Sequence, residues 1–134
     1  MSKSFLIAAS SSFVILLAAD FVWLSNAVNF LNRPRLGALL ADKPVLWAAA
    51  LFYVLYGIGL TFLVVRPAVS ADSVFTALWT GALFGLVAYG TYDLTNQATL
   101  KGWSLTVTVV DMAWGATISA GAPALGVWFA RKLA

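Results

Sequence analysis

Three aspartates lie inside or at the edge of long apolar stretches, where a carboxylate is hardest to keep. They are Asp20, Asp93 and Asp111. A charged side chain near the centre of a bilayer costs about 3 kcal/mol, so an ionisable residue there indicates a functional site by default. The alternative is structural, because a protonated or hydrogen-bonded aspartate can fix the register of a helix bundle. Both interpretations stay open for Asp20 and Asp111.

Asp20 and Asp111 share a local pattern, since each is followed three residues later by a tryptophan, Trp23 or Trp114. On a helix this spacing puts the acid and the ring on nearly the same face. Counted along their apolar stretches, the two acids lie at similar depth, roughly 15 Å and 12 Å from the same side. The pattern predicts that two faces, each with an acid and an aromatic ring, meet in one cavity.

The most polar part of the chain is the segment YGTYDLTNQATLKGW, which runs from residue 89 to residue 103. Asp93 lies in it, and we expect this acid to pair with Lys101 near the end of its helix. Together with the two deeper acids, the segment predicts a polar and aromatic cavity that opens toward the connecting loops. The candidate ligand-binding residues are Asp20, Trp23, Tyr89, Tyr92, Asp93, Asn96, Asp111 and Trp114.

Several kinds of chemistry lack their usual residues. The 134 residues contain no cysteine, no histidine and no glutamate, so thiolate metal sites, histidine-ligated haem and the commonest general base are excluded. The sequence therefore assigns no catalytic residue, no metal ligand and no cofactor. The net charge is +3, but the basic residues are scattered around the apolar stretches. Scattered charges indicate lipid headgroup contacts rather than a nucleic-acid surface.

Four apolar stretches are long enough to cross a membrane, since a spanning helix needs roughly 20 mostly apolar residues. Hydrophobic residues make up 62% of the chain and charged residues 10%. We predict an all-α integral membrane protein, a single four-helix transmembrane domain over residues 1–134. The first stretch resembles a secretory signal, but its apolar run continues, so we interpret it as an uncleaved helix. The predicted spans are about 5–30, 44–65, 74–92 and 103–129.

Local signals predict where the helices end. Pro34 and Pro67 are expected to stop the first and second helices, because the residue before a proline is pushed out of the helical region. Asp72 or Ser73 is expected to cap the third helix. Pro123 falls inside the fourth span and predicts a kink there, because proline removes one backbone hydrogen bond.

The third span carries Gly81 and Gly85, a spacing of small residues that lets another backbone approach closely. The fourth span has a comparable stripe of small and polar residues, so we expect these two helices to pack along their stripes. Packing between copies of the chain is the alternative use. The fourth-span stripe consists of Ser104, Thr108, Asp111, Gly115, Ser119 and Ala122.

An even number of spans predicts that both termini lie on one side of the membrane. Four lysines and arginines flank each side of the predicted bundle, so the excess of positive charge that usually marks cytoplasmic loops gives no orientation. The free amino terminus, together with Arg131 and Lys132, slightly favours termini in the cytoplasm. Insertion in both orientations is the alternative.

The segment at residues 89–103, followed by DMAWG at residues 111–115, resembles an uncharacterised family of small bacterial predicted membrane proteins, a DUF2177-like domain of unknown function. The resemblance covers the whole chain, including the region around Asp20. It implies a four-span, multi-pass protein of the bacterial inner (cell) membrane. It implies no activity.

Three functions compete. The favoured one is a membrane protein that binds or transports a small cationic or amphipathic ligand, because acids attract the charge and aromatic rings attract both cations and apolar groups. The second is a structural or accessory subunit, whose partners are membrane lipid, further copies of the chain or a larger membrane complex. The third is a lipid-modifying enzyme that uses an aspartate pair as acid and base. No nucleophile motif supports the enzyme.

Overall fold

The computed structural model describes residues 2–134, which form α-helices with short π-helical and 3₁₀ turns and contain no strand. Ser2 caps the first helix, since its side chain accepts a hydrogen bond from the backbone N–H of Phe5 at 3.1 Å. In chain order the helices are α1 (Lys3–Ala27), α2 (Arg33–Leu36), α3 (Leu46–Leu60), α4 (Arg66–Ser70), α5 (Val74–Thr99) and α6 (Leu105–Leu133).

Four helical stretches are long and apolar enough to cross a membrane, which confirms the predicted four-span, all-helical fold. The first span contains α1 and α2, and the second contains α3 and α4. The third span is α5 and the fourth is α6. Their bounds are Lys3–Leu39, Leu46–Ser70, Val74–Thr99 and Leu105–Leu133.

The predicted ends of the first two helices were wrong, because the chain stays helical past both prolines. Pro34 lies in α2 and Pro67 lies in α4. Each follows a wider π-helical turn, Val28–Asn32 before Pro34 and Thr61–Val65 before Pro67. A π-helical turn shifts the backbone pairing by one residue, which gives the proline ring room where its missing N–H would otherwise interrupt the helix.

The third helix is longer than predicted and ends at Thr99 instead of Tyr92. Its polar extension is built from threonines at every fourth position. Thr91, Thr95 and Thr99 each donate a side-chain hydrogen bond to the carbonyl oxygen four residues earlier. These bonds satisfy the hydroxyl groups within the helix itself, so the polar sequence does not end it.

Ser73 caps the start of α5, as predicted, by accepting a hydrogen bond from the backbone N–H of Thr76 at 3.0 Å. Asp72, the other predicted cap, instead pairs with Arg131, with 3.2 Å between its Oδ1 and the Arg131 Nε. This exposed ion pair adds little stability. It does place the last turn of α6 beside the connection between the second and third spans.

Glycines let α5 and α6 approach closely, which confirms the predicted packing of the third and fourth spans. A Cβ atom added to Gly81 would overlap the carbonyl oxygen of Ser119, and one added to Gly85 would overlap that of Gly115. Both contacts are with backbone, which cannot rotate away. Only a hydrogen atom fits at these positions.

We expect Gly81→Ala to lower the free energy of unfolding by roughly 1–2 kcal/mol, because the added methyl group forces the two backbones apart. Gly121→Ala is the matched control, since a Cβ atom there meets nothing within 4 Å. Thermal unfolding in mild detergent should therefore show a lower midpoint for the Gly81 variant alone. Equal midpoints for both variants would contradict the close approach of α5 and α6.

Helix α6 lies at the centre of the bundle, packed closely against both α1 and α5, whereas α1 and α5 scarcely touch. The second span joins them mainly through its later part, residues 61–70, and the backbone of α3 stays apart from the other spans. The buried residues of α3 are Tyr56, Gly57 and Leu60. A cleft therefore opens beside the earlier part of α3.

Two predictions about the ends of the bundle remain predictions. Helix α6 is continuous through Pro123. A bend of its axis at this proline stays a prediction. Ser2, Ser70 and Ala134 line one surface pocket, an arrangement that agrees with both termini lying on the side of the connection between the second and third spans.

Candidate functional site

The cleft beside α3 contains a cavity of about 390 Å³, and all four spans contribute to its wall. Two acids and six aromatic side chains line it, together with two aliphatic residues. No lysine or arginine is among them. The lining residues are Asp20, Trp23, Leu24, Phe52, Tyr53, Ala88, Tyr89, Tyr92, Asp111 and Trp114.

Asp20 is held by two hydrogen bonds from other helices. Its Oδ2 accepts a hydrogen bond from the hydroxyl group of Tyr53 on α3. Its Oδ1 accepts one from the indole Nε1–H of Trp114 on α6, at 3.0 Å. Only 5% of Asp20 is exposed, so each carboxylate oxygen needs such a donor. Asp20 therefore ties three spans together and holds its carboxyl group in a fixed orientation at the wall of the cavity.

The two tryptophans of the repeated pattern form one wall. The rings of Trp23 and Trp114 are stacked, with 4.7 Å between their centroids and 8° between their planes. Stacking arises because α1 and α6 are direct neighbours and each tryptophan follows its acid by three residues. The wall combines a large apolar surface with the electron-rich faces that attract cations.

Asp111 lines the same cavity as Asp20, in a different setting. It is half-buried and accepts no hydrogen bond from any amide, hydroxyl or indole group of residues 2–134. Its carboxyl group lies beside that of Asp93 on α5. Asp111 is thus the acid in the cavity whose charge is least satisfied by the protein itself.

Asp93 does not pair with Lys101, and that prediction was wrong. Because α5 continues to Thr99, Asp93 lies more than one turn before the end of its helix and faces α6, while Lys101 follows the helix on the exposed surface. Asp93 is fully buried, and neither of its carboxyl oxygens has a hydrogen-bond donor among residues 2–134. It lies behind Asp111 rather than in the wall of the cavity.

Asn96, the remaining predicted site residue, is half-buried and lies outside the cavity wall. The neighbouring Gln97 belongs to a small network at the loop end of α5 and α6. Thr108 donates to the Gln97 Oε1 at 2.9 Å and accepts from the Trp103 Nε1–H at 3.0 Å. This network separates Asp93 from the loop between the third and fourth spans.

Six of the eight predicted site residues therefore line one cavity, and the prediction missed Tyr53 and Phe52 on α3. The only sequence signal for Tyr53 is its hydroxyl group, in a helix whose other side chains are almost all apolar. A buried tyrosine hydroxyl usually finds a partner. The identity of that partner, Asp20, depends on the arrangement of the spans.

Comparison with known proteins gives the family. Residues 5–128 match the family described as "Predicted membrane protein (DUF2177)". The chain belongs to this family. Its description supports a membrane protein and gives no ligand, reaction or partner. No curated protein and no solved structure matches the chain.

Proposed function

We propose that this protein binds a small organic cation with an apolar body in the cavity between its spans, and holds or carries that cation within the membrane. The observation that carries the proposal is the composition of the wall. Among the residues that the structure describes, it has two acids, six aromatic side chains and no basic residue. Negative groups without a positive partner inside an apolar cavity favour a cationic ligand.

The two acids suit different parts of such a ligand site. Asp20 accepts hydrogen bonds from Tyr53 and Trp114, which orient its carboxylate before any ligand arrives. Asp111 has no such donors in the described part of the chain and can face the positive charge directly. Stacking covers one face of each of the Trp23 and Trp114 rings. A cation can contact only the outer face of the pair, and a desolvated contact of this kind contributes about 2 kcal/mol.

The size and lining of the cavity indicate an organic cation rather than a metal ion. Its volume of about 390 Å³ lies within the roughly 300–1,000 Å³ that is usual for small-molecule sites. Aromatic rings supply most of the wall, whereas calcium and magnesium need six or more oxygen ligands. An ammonium or phosphonium group with apolar substituents matches both the charge and the walls.

The cavity opens beside α3, between faces that meet lipid in a membrane. Leu24, Phe52 and Tyr92, which line the cavity, are also among the exposed hydrophobic residues. A ligand that dissolves in the bilayer could therefore enter from the side. Amphipathic cations do so, and this route makes membrane lipid the immediate surroundings of the site. Following the resemblance of the sequence, we place the activity in the bacterial inner membrane.

The test is a comparison of two ions with the same shape and opposite charge. Purified protein in mild detergent is titrated with tetraphenylphosphonium and, separately, with tetraphenylborate, and tryptophan fluorescence is recorded. We expect saturable quenching by the cation, because Trp23 and Trp114 line the site, and none by the anion. Equal responses to both ions would mean nonspecific partitioning. Absence of any saturable response would favour the accessory-subunit alternative.

A further inference from the structure

Asp93 is the one buried acid that the proposed binding site does not use. It is 0% exposed, and both of its carboxyl oxygens lack a hydrogen-bond donor among residues 2–134. Buried polar side chains nearly always have a partner, so an orphaned carboxyl group needs an explanation. Asp93 lies directly behind Asp111, and Asp111 faces the cavity.

The surroundings of Asp93 do not support a negative charge. The titratable groups that lie beside it are Asp111 from α6 and Tyr92 from its own helix. None of them is basic. An ionised carboxylate buried without a counter-ion or a donor costs several kcal/mol, and two carboxylates that share a site do not both ionise readily.

One proton resolves both difficulties. A protonated Asp93 is neutral and has an O–H group to donate, and the carboxylate of Asp111 is the acceptor beside it. The carboxyl group of Asp93 then has a hydrogen-bond partner after all, which is the carboxylate of Asp111. The pair carries a single negative charge, which faces the cavity at Asp111.

We propose that Asp93 and Asp111 hold one proton between them, and that a cation bound at Asp111 displaces this proton. The inference rests on the proposed function, because it needs a cation in the cavity. When the cation arrives, the O–H bond of the pair breaks and the proton leaves to water. The pair then carries two negative charges against the one positive charge of the ligand, so the net charge of the site is unchanged. Binding is thereby a one-for-one exchange of proton and cation.

The first experiment needs no ligand. The infrared carbonyl stretch of a protonated carboxyl group is recorded at neutral pH for the wild type, for Asp93→Asn and for Asp42→Asn, a control that removes an exposed acid of the loop. We expect the band in the wild type and in the control, and its loss in Asp93→Asn. A wild-type spectrum without the band would overturn the shared proton, whether or not the protein binds cations.

The second experiment measures the exchange itself. Proton release is followed with a pH indicator in weakly buffered detergent solution while tetraphenylphosphonium binds. We expect about one proton per bound cation in the wild type, and an affinity that rises roughly tenfold for each unit of pH while the pair is protonated. Asparagine at position 93 can still donate to Asp111 but holds no exchangeable acid proton. Binding to Asp93→Asn should therefore release no proton and vary little with pH.

The outcomes separate the inference from the function on which it rests. Saturable cation binding without proton release would overturn the exchange and leave the proposed function standing. Failure of the cation to bind would overturn both the proposed function and the exchange. Thermal unfolding of Asp93→Asn provides the control for folding. If Asp93→Asn does not fold, Asp93→Ser is used in its place, since serine is smaller and also lacks the acid proton.

Discussion

Replacing Asp111 by asparagine is expected to weaken tetraphenylphosphonium binding about thirtyfold, which corresponds to about 2 kcal/mol for a lost charge contact. Asparagine keeps the size of the side chain but cannot carry a negative charge. Asp111 is half-buried, and within residues 2–134 it accepts no hydrogen bond from an amide, hydroxyl or indole group. The substitution therefore leaves no donor without its acceptor outside the acid pair. The midpoint of thermal unfolding should stay close to that of the wild type.

The matched control for this experiment is Asp42→Asn, which removes the same charge from an exposed position outside the cavity. Fluorescence titration should give the control variant the affinity of the wild type. If Asp42→Asn weakened binding as much as Asp111→Asn, the effect would be one of net charge. Full affinity in Asp111→Asn would remove Asp111 from the binding site.

Replacing Asp20 by alanine is expected to lower the free energy of unfolding by about 3 kcal/mol, the largest effect on stability that we expect from a single side chain in the cavity. The alanine variant leaves the hydroxyl group of Tyr53 and the indole N–H of Trp114 without their acceptor. These groups belong to two different helices, so the loss also loosens the contact of α3 with the other spans. Thermal unfolding in mild detergent measures the change.

Asparagine at position 20 should cost less than alanine, because its carbonyl oxygen can still accept one of the two hydrogen bonds. Ser25→Ala provides the control on the same helix. The Ser25 hydroxyl group donates to the carbonyl oxygen of Phe21 at 2.7 Å and has no other partner within residues 2–134. We expect that control to unfold like the wild type. Equal stability of the alanine and asparagine variants would contradict the role of Asp20 as a shared acceptor.

The four spans could be predicted from the sequence because hydropathy alone decides which segments enter a membrane. The helix ends could not. Pro34 and Pro67 follow π-helical turns, and the threonines after Tyr92 satisfy their own hydroxyl groups. In both cases the end of the helix depends on hydrogen bonds to the backbone. The expectation that proline or a polar segment ends a helix holds for a regular helix in water, so it was wrong here.

The two acids of the cavity and their neighbouring tryptophans could be predicted from local sequence patterns. The spacing of Asp20 from Trp23, and of Asp111 from Trp114, placed each acid beside its own ring. The partner of each acid could not be predicted in this way, because a sequence pattern indicates only partners that are close along the chain. Asp93 was assigned to Lys101 for that reason, whereas the close approach of α5 and α6 at their glycines brings it to Asp111.

The most direct measurement of the central claim is the position of a bound cation. Tetraphenylarsonium has the shape and charge of tetraphenylphosphonium, and its arsenic atom gives an anomalous X-ray signal that marks its place in a crystal. In crystals soaked at a concentration near the wild-type dissociation constant, we predict one strong peak in the cavity, between Asp111 and the stacked rings of Trp23 and Trp114. This peak should fall close to background in crystals of Asp111→Asn, whose affinity is about thirtyfold lower. A peak on the lipid-facing surface alone, or the same peak in both crystals, would contradict the account.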